Sequence, residues 1–536
     1  MKETKMVIYR AIMPISAKII TALFLFFTAA AFAAESGTTA YQFQSTEDFK
    51  VLNQIDKLII ESFNSNSLKP AHLCSDEVFI RRVYLDVTGT LPPTEEVLRF
   101  YKNPRSDKRA SLINAVLRSP EYADYLTLKW CDLLRVKAEF PINLWPNAVQ
   151  AYHRWIHDAF AENMKYDQFA RELLTSSGSN FRVPAVNFYR AMQDHEPSTI
   201  ANAAALTFMG TRLDKWPDDK QKQMEAFYSR VSYKSTAEWK EEIVYLNPEQ
   251  FEAMEVVFPD GTNTTIQPWQ DPRMVFADWL IKPQNKWFAK AIVNRMWSWL
   301  FGRGIIHEPD DIRDDNPAVH PKVLAYLEEE LVKSGYDLQY VFKLILNSST
   351  YQQSSVPRCE PAKAEIMFAC YPVRQLDAEV LVDALCYISG TNESYSSLIP
   401  EPFTFIPEEH RSVNLADGSI TSQFLEMFGR PSRDTGLESE RTTKATQAQR
   451  MHFLNSSHIR NKIEKGPELR NLAKKAKWKK PDIINQTYLK VLSRYPTDSE
   501  MEIAMEYFKT EDMKTYQATQ DLLWALINSK EFLYHH

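Results

Sequence analysis

From Phe49 onward the apolar residues fall at helical spacing: Val51, Leu52, Ile55, Leu58 and Ile59 share one face. Ser75-Asp76-Glu77 then caps a helix that carries Val78, Phe79, Val83 and Tyr84 on one side. The same periodicity predicts helices over 94–102, 107–118, 120–137, 146–163, 166–176 and 197–209. Between Glu241 and Trp269 the pattern changes: Ile243-Val244-Tyr245 and Val256–Phe258 are β-type, and Pro259-Asp260-Gly261 is a turn ahead of Thr262–Ile266. Helical spacing resumes at Asp271-Pro272-Arg273 and runs to about Ile281. The next segment, Trp287–Leu300, is apolar on most faces, which marks a buried helix ended by Gly302 and Gly304. Further helices are expected over 319–334, 337–347 and 374–388. A proline-punctuated loop follows over 389–420, then helices over 444–453, 456–463, 481–493, 497–508 and 514–530. The expected fold is mainly α, with two helical domains (49–240 and 271–536) and a small β-hairpin insert (241–270) between them.

One device recurs. Leu112–Tyr122, Phe342–Tyr351 and Leu523–Phe532 each run as an amphipathic helix ending in a serine (Ser119, Ser348, Ser529), with an aromatic three residues later. A serine there caps the following turn while the aromatic packs back. The copies lie too far apart for a solenoid period.

The N-terminus changes the picture of where the chain works. Lys2, Lys5, Arg10 and Lys18 precede an apolar run, Ile19–Phe32, and Ala31-Phe32-Ala33 has the small-x-small pattern of a cleavage site. The run is shorter than the ~20 residues that span a bilayer. The expectation is a signal peptide (1–33) cut near Ala33 or Ala34, a polar linker (34–48), and a soluble mature protein in the periplasm or outside the cell. No later segment reaches membrane-spanning length. The chain's 536 residues exceed the roughly 250–300 of a single core, consistent with two domains. Net charge is −6 with both signs interspersed, which argues against a nucleic-acid partner. The five cysteines, Cys74, Cys131, Cys359, Cys370 and Cys386, include no CxxC pair and no CxxCH, so cysteine-held zinc and covalent haem lose their signatures. No cofactor and no metal is expected.

Candidate chemistry is sparse. His153 and His157 share a helix face at metal-ligand spacing, but Arg154 stands where a zinc-protease helix has glutamate, and polar decoration is the simpler account. The run His307–Pro317 is the densest acidic cluster; Asp310, Asp311 and Arg313, with Asn294 and Arg295 upstream, form one candidate binding set, whose alternative is an acidic cap. Arg430, Arg433, Glu440 and Arg441 form a second, where arginine forks bind carboxylates either internally or on a ligand. Twelve tryptophans and 24 tyrosines offer stacking surfaces for sugars, though most fall at core spacing. No GxSxG, phosphate loop or zinc-protease helix occurs.

Several stretches together resemble a known family. Phe79–Pro93 is similar to the opening of the planctomycete cytochrome-associated domain. Trp287–Trp297, Phe301–Ile305, Asp310–Arg313, Leu376–Glu379, Phe428–Pro431 and Leu523–Phe532 resemble its companion, the planctomycete-specific domain. The resemblance implies an exported, chiefly helical protein, often with a separate haem domain, whose biochemical role is not established. It also implies two cysteine segments that this chain lacks. Phe208–Leu213 runs directly into Asp214-Lys215-Trp216, without a CxxCH-type stretch, and Leu437 and Ser439 stand where a C-x-C precedes Glu440-Arg441. If both segments serve one site in relatives, the loss of one makes the other dispensable.

Three function classes follow: a binding or scaffold protein of the envelope or exterior, using helical surfaces and the 389–420 loop on a polysaccharide or protein partner; a hydrolase or lyase acting on exported polysaccharide with an acidic site near 310–314; and a redox protein, which the missing CxxCH disfavours. Binding is the leading expectation, since no nucleophile–base constellation is visible.

Overall fold

The computed structural model describes residues 43–249, 252–406 and 409–536. The predicted signal peptide, its cleavage site and residues 34–42 of the linker lie outside the described residues. Among the described residues no helix is long and apolar enough to cross a membrane.

The molecule is mainly α, as its periodicity predicts. The first described long helix is Gln54–Ser65, because the Asn53 side chain accepts the Asp56 amide and sets the start there. Val51 and Leu52, read as helical, therefore precede the helix and are exposed. Ser75 caps Asp76–Thr88 by accepting the Val78 amide, as its position predicts. Phe288–Phe301 buries every residue except Lys290 and stops at Gly302, whose φ of 73° leaves the helical region.

The β-structure is richer than one hairpin. β1 (Gly178–Ser179), β2 (Val231–Ser235) and β3 (Glu242–Leu246) form an antiparallel sheet in the order β1-β3-β2. β4 (Met254–Val257) and β5 (Asn263–Ile266) pair separately across the predicted turn, with Val257 opposite Asn263. Ile243–Tyr245 thus belongs to a different sheet from Val256. Its partner β2, Val-Ser-Tyr-Lys-Ser, is too polar to read as a strand. β6 (Arg374–Gln375) pairs with β7 (Tyr534–His535), closing the chain's end onto its middle.

Two apolar clusters fill the interior. One draws on helices from Gln54–Ser65 to Leu338–Leu346 and continues to Tyr371. The other runs from Leu376 to Phe532 and takes in Leu85, Leu91, Tyr125 and Leu128 from the first half. The helix Asp76–Thr88 serves both: Val83 and Val87 enter the first cluster and Leu85 the second. Its arginines stitch the halves together. Arg81 donates to the carbonyls of Val491 (2.7 Å) and Phe532 (3.2 Å), and Arg82 to those of Tyr351 (2.6 Å) and Gln353 (2.8 Å). Between them Asp86 accepts from Tyr351 (2.7 Å), Tyr371 (2.9 Å) and Arg374 (2.6 Å). Burial raises the Asp86 carboxyl, but Arg374 and His535 outweigh it and hold the group below the usual range.

The recurring serine device forms in two of its three copies. Ser348 and Ser529 accept the amides of Tyr351 (3.1 Å) and Phe532 (3.2 Å), and both aromatics are buried. At Ser119 the backbone carbonyl takes that place, accepting from Tyr122 (3.2 Å).

Candidate functional site

The residues singled out in the sequence fall into two buried braces and a surface cluster. Helix Pro197–Ala204 widens into a π turn at Ala205–Met209 that ends on Gly210 (φ 61°). A π turn displaces carbonyls from their helical partners. Arg295 supplies replacements, donating to the carbonyls of Leu206 (2.5 Å) and Thr207 and pairing with Asp310 at 2.7 Å. Asp310 also accepts the Glu438 amide (2.6 Å), and Asn294 fixes both backbone groups of Ile306. Asp311 and Arg313 do not join this brace; they pair with each other (3.2 Å) nearer the surface.

The second brace gathers Arg430, Arg433 and Arg441. Asp132 accepts from Arg433 (2.9 Å) and Arg441 (2.6 Å), and Glu379 pairs with Arg441 (2.7 Å) and Arg430 (3.3 Å). Asp377 completes it, binding Lys129 (2.6 Å) and the Tyr125 hydroxyl (2.8 Å). Against its burial, Lys129 and Arg441 hold the Asp377 carboxyl far below the usual range. Glu440 stands apart and staples the adjoining loop, accepting the amides of Asp434 (3.0 Å) and Thr435 (3.1 Å). These arginines already have carboxylate partners inside the protein.

His153 and His157 line a small cleft with Asp124, His410 and Asn414. His157 pairs with Asp124 at 3.3 Å, and burial, with Arg433 next, pushes His153 down to about 3. Among the described residues no group of three or more His, Cys, Asp or Glu side chains is disposed to hold a metal ion.

The chemistry open to a ligand is built instead on the segment after helix Pro120–Leu133. Arg135, Asn143 and Trp145 all have positive φ (54°, 59° and 73°), a costly conformation for side chains of this size. The segment is held by its backbone: the Ala138 amide donates to Asp417 (2.9 Å) and the Glu139 amide to Ser419 (3.0 Å). One end forms the floor of a cavity of about 410 Å³. The buried Arg135 donates from Nε to the Ala191 carbonyl (2.6 Å) and from Nη1 to that of Leu133 (3.4 Å), while Nη2, sealed from solvent, has no hydrogen-bond partner among the described residues. Burial pushes this guanidinium down to about 10. Gly436 makes the approach possible, since a Cβ at that position would lie 2.7 Å from Nη1.

The other end of the segment carries an aromatic patch. The Trp145 ring meets Trp239 at 6.3 Å and Phe403 at 5.8 Å between centroids. The Lys240 ammonium lies 5.7 Å from the first ring and 5.4 Å from the second. Phe140, Trp239, Leu398, Phe403 and Phe405 each expose more than half their surface. Glu139 anchors the loop that brings them in, accepting from the Ser397 hydroxyl (3.1 Å) and the Leu398 amide (2.9 Å). Trp145 and Trp239 were among the stacking residues the sequence offered. Their signal was that they fall outside helical periodicity; Arg135 carries no signal in the sequence.

Fold and site together define a helical protein with a polar, ligand-sized cavity and an exposed aromatic patch. Residues 54–233 match a family model described as a protein of unknown function (DUF1549), and residues 272–508 match another described as a protein of unknown function (DUF1553). The chain belongs to the family that joins these planctomycete cytochrome-associated and planctomycete-specific domains. No curated protein and no solved structure matches it.

Leu213 and Asp214, at the first place where the resemblance implies cysteines, line the same cavity as Asp434 and Thr435, whereas Leu437 and Ser439, at the second, do not line it. In this chain all five cysteines are free.

Proposed function

We propose that the protein is an exported, non-catalytic polysaccharide-binding protein of the envelope or extracellular space. One observation carries this: aromatic side chains from three separate segments, around Trp145, Trp239 and Phe403, meet at the surface instead of in a core. A soluble protein keeps such rings in water at a cost unless a partner covers them. The C–H face of a sugar ring fits an aromatic face and releases water from both. A ring that covers ~50 Å² of apolar surface contributes about 1 kcal/mol, so retention needs several rings acting together. The hydrolase alternative near 310–314 lacks comparable support, because Asp310 is occupied by Arg295 and by the Glu438 amide.

The test is co-sedimentation of the purified chain with cellulose, chitin, xylan and peptidoglycan. Retention on at least one is expected, with a loss of about tenfold or more in affinity for the Trp239→Ala/Phe403→Ala double variant. Absence of retention on all four, or equal retention of the variant, overturns the proposal. Recovery of the protein from the cytosolic fraction of the producing cell overturns export.

A further inference from the structure

We infer that the turn spanning Lys474 to Lys480 docks the protein on a lipid bilayer with anionic headgroups. The inference stands apart from the polysaccharide reading and uses none of its residues.

Charge is concentrated here. The chain carries a net charge of −6, yet 465–482 holds seven basic residues against two carboxylates, Glu468 and Asp482. Glu468 is paired with Lys490 (2.8 Å). The ammonium groups of Lys474, Lys475, Lys477 and Lys479 have no ion-pair partner among the described residues, and all four side chains are exposed. A field of one sign that the fold leaves uncompensated attracts a partner of the other sign.

The turn keeps these residues against the interest of the fold. Helix Pro467–Lys475 closes with the Lys477 amide donating to the Lys474 carbonyl (2.9 Å) and the Trp478 amide to that of Ala473 (3.0 Å). Such a closure favours glycine at its left-handed position, but Lys477 (φ 51°) and Trp478 (φ 58°) occupy that region in succession. Helix Lys480–Leu492 then begins with Lys479 at its cap and no side-chain capping bond. A helix N-terminus prefers Asp or Ser at that place and repels cations. Lys474 and Lys475 do complement the C-terminal end of their own helix. Lys477 and Lys479 serve neither helix.

Shape and residue type select the partner. Lys477, Trp478 and Lys479 are exposed one after another, Trp478 by 46%, so the turn presents a tip and not a groove. A tip encloses no small anion. Lysines act as point charges, which suits a laterally mobile array of headgroups, whereas planar recognition of one phosphate or carboxylate calls for arginine forks. An indole joins an apolar body to an N–H donor and settles at headgroup level. No described helix is long and apolar enough to cross a membrane, so the attachment drawn here is peripheral. Each lysine held near an anionic leaflet strengthens binding about fivefold.

The mature chain is sedimented with vesicles of phosphatidylcholine alone and of phosphatidylcholine mixed with phosphatidylglycerol. Binding is expected to the mixed vesicles only, and it should fall as salt is raised. Lys477→Gly/Lys479→Asp gives both backbone positions the residue their geometry prefers. That variant should melt no lower than the parent while its vesicle binding falls about a hundredfold. Trp478→Ala should weaken binding severalfold without changing the salt dependence. The Trp239→Ala/Phe403→Ala variant should bind vesicles like the parent, which separates this surface from the polymer-binding patch. The inference is overturned if mixed vesicles retain no more protein than neutral ones, or if either turn variant binds them like the parent. It is also overturned if heparin or a single-stranded oligonucleotide binds the parent more tightly than the vesicles do, which would make the turn a polyanion site.

Discussion

Glu438 illustrates how a single residue inherits its behaviour from distant neighbours. It is brought against Asp310 by its own backbone amide, its Oε1 accepts from Trp299 (2.8 Å), and burial followed by repulsion from Asp310 pushes its carboxyl up to about 7. The folded protein therefore keeps this proton at pH values where the unfolded chain, with an ordinary glutamate near 4.3, has released it. Stability from this group is full below the unfolded value and is lost as pH rises through about 7. Glu438→Gln keeps an acceptor for Trp299 and removes the titration. The variant should gain about 1–2 kcal/mol over the parent at pH 8 and none at pH 4.5, after allowance for partial solvent access. Asp383, pushed up to about 6, and Glu328, to about 7, titrate in the same sense, so the informative quantity is the difference between the two denaturation profiles. Parallel profiles would remove Glu438 from this role. Density of arginine and glutamate around 430–441 was legible in the sequence as an ion-pair network. The partners Asp132, Asp377 and Glu379 were not, because pairing across hundreds of residues leaves no local pattern.

At the scale of elements, periodicity located the long helices because each has a continuous buried stripe. It missed Asp218–Ala226, where only Met224 is buried, and it missed Pro467–Lys475, whose charged surface hides the stripe of Leu469, Leu472 and Ala473. The loop over 389–420 was legible as a loop, but its order was not. That order comes from pairing of Ser396 with Thr421 and from Glu139. Glu139→Ala should free the segment around Leu398 while leaving the helices intact. Hydrogen exchange at the Leu398 amide should quicken by about tenfold, the equivalent of one charged hydrogen bond of roughly 1.5 kcal/mol. Unchanged exchange there, measured against unchanged exchange in Phe288–Phe301, would show that the loop orders itself.

For the whole molecule, the two family segments behave as one folding problem. The second apolar cluster borrows Leu85, Leu91, Tyr125 and Leu128, and Asp86 gathers groups from 351, 371 and 374. Cutting the chain between Tyr371 and Leu376 should leave two insoluble pieces that regain solubility only when produced together, each fragment being assayed by sedimentation and circular dichroism. A soluble, helical 376–536 fragment alone would contradict this. The sequence showed two helical halves; it did not show that one half finishes the other, since nothing in a local pattern says which core a side chain enters.

The stitching arginines carry a consequence for the order in which the chain is made. Arg81 leaves the ribosome long before the carbonyls it binds, which lie 410 and 451 positions later. A charge destined for the dry interior must wait in solvent until those two segments have emerged. Closure of so distant a contact is slow, and the waiting intermediate exposes apolar helix faces. Burial of Arg81 is therefore a late event of folding, set by when those two distant segments become available.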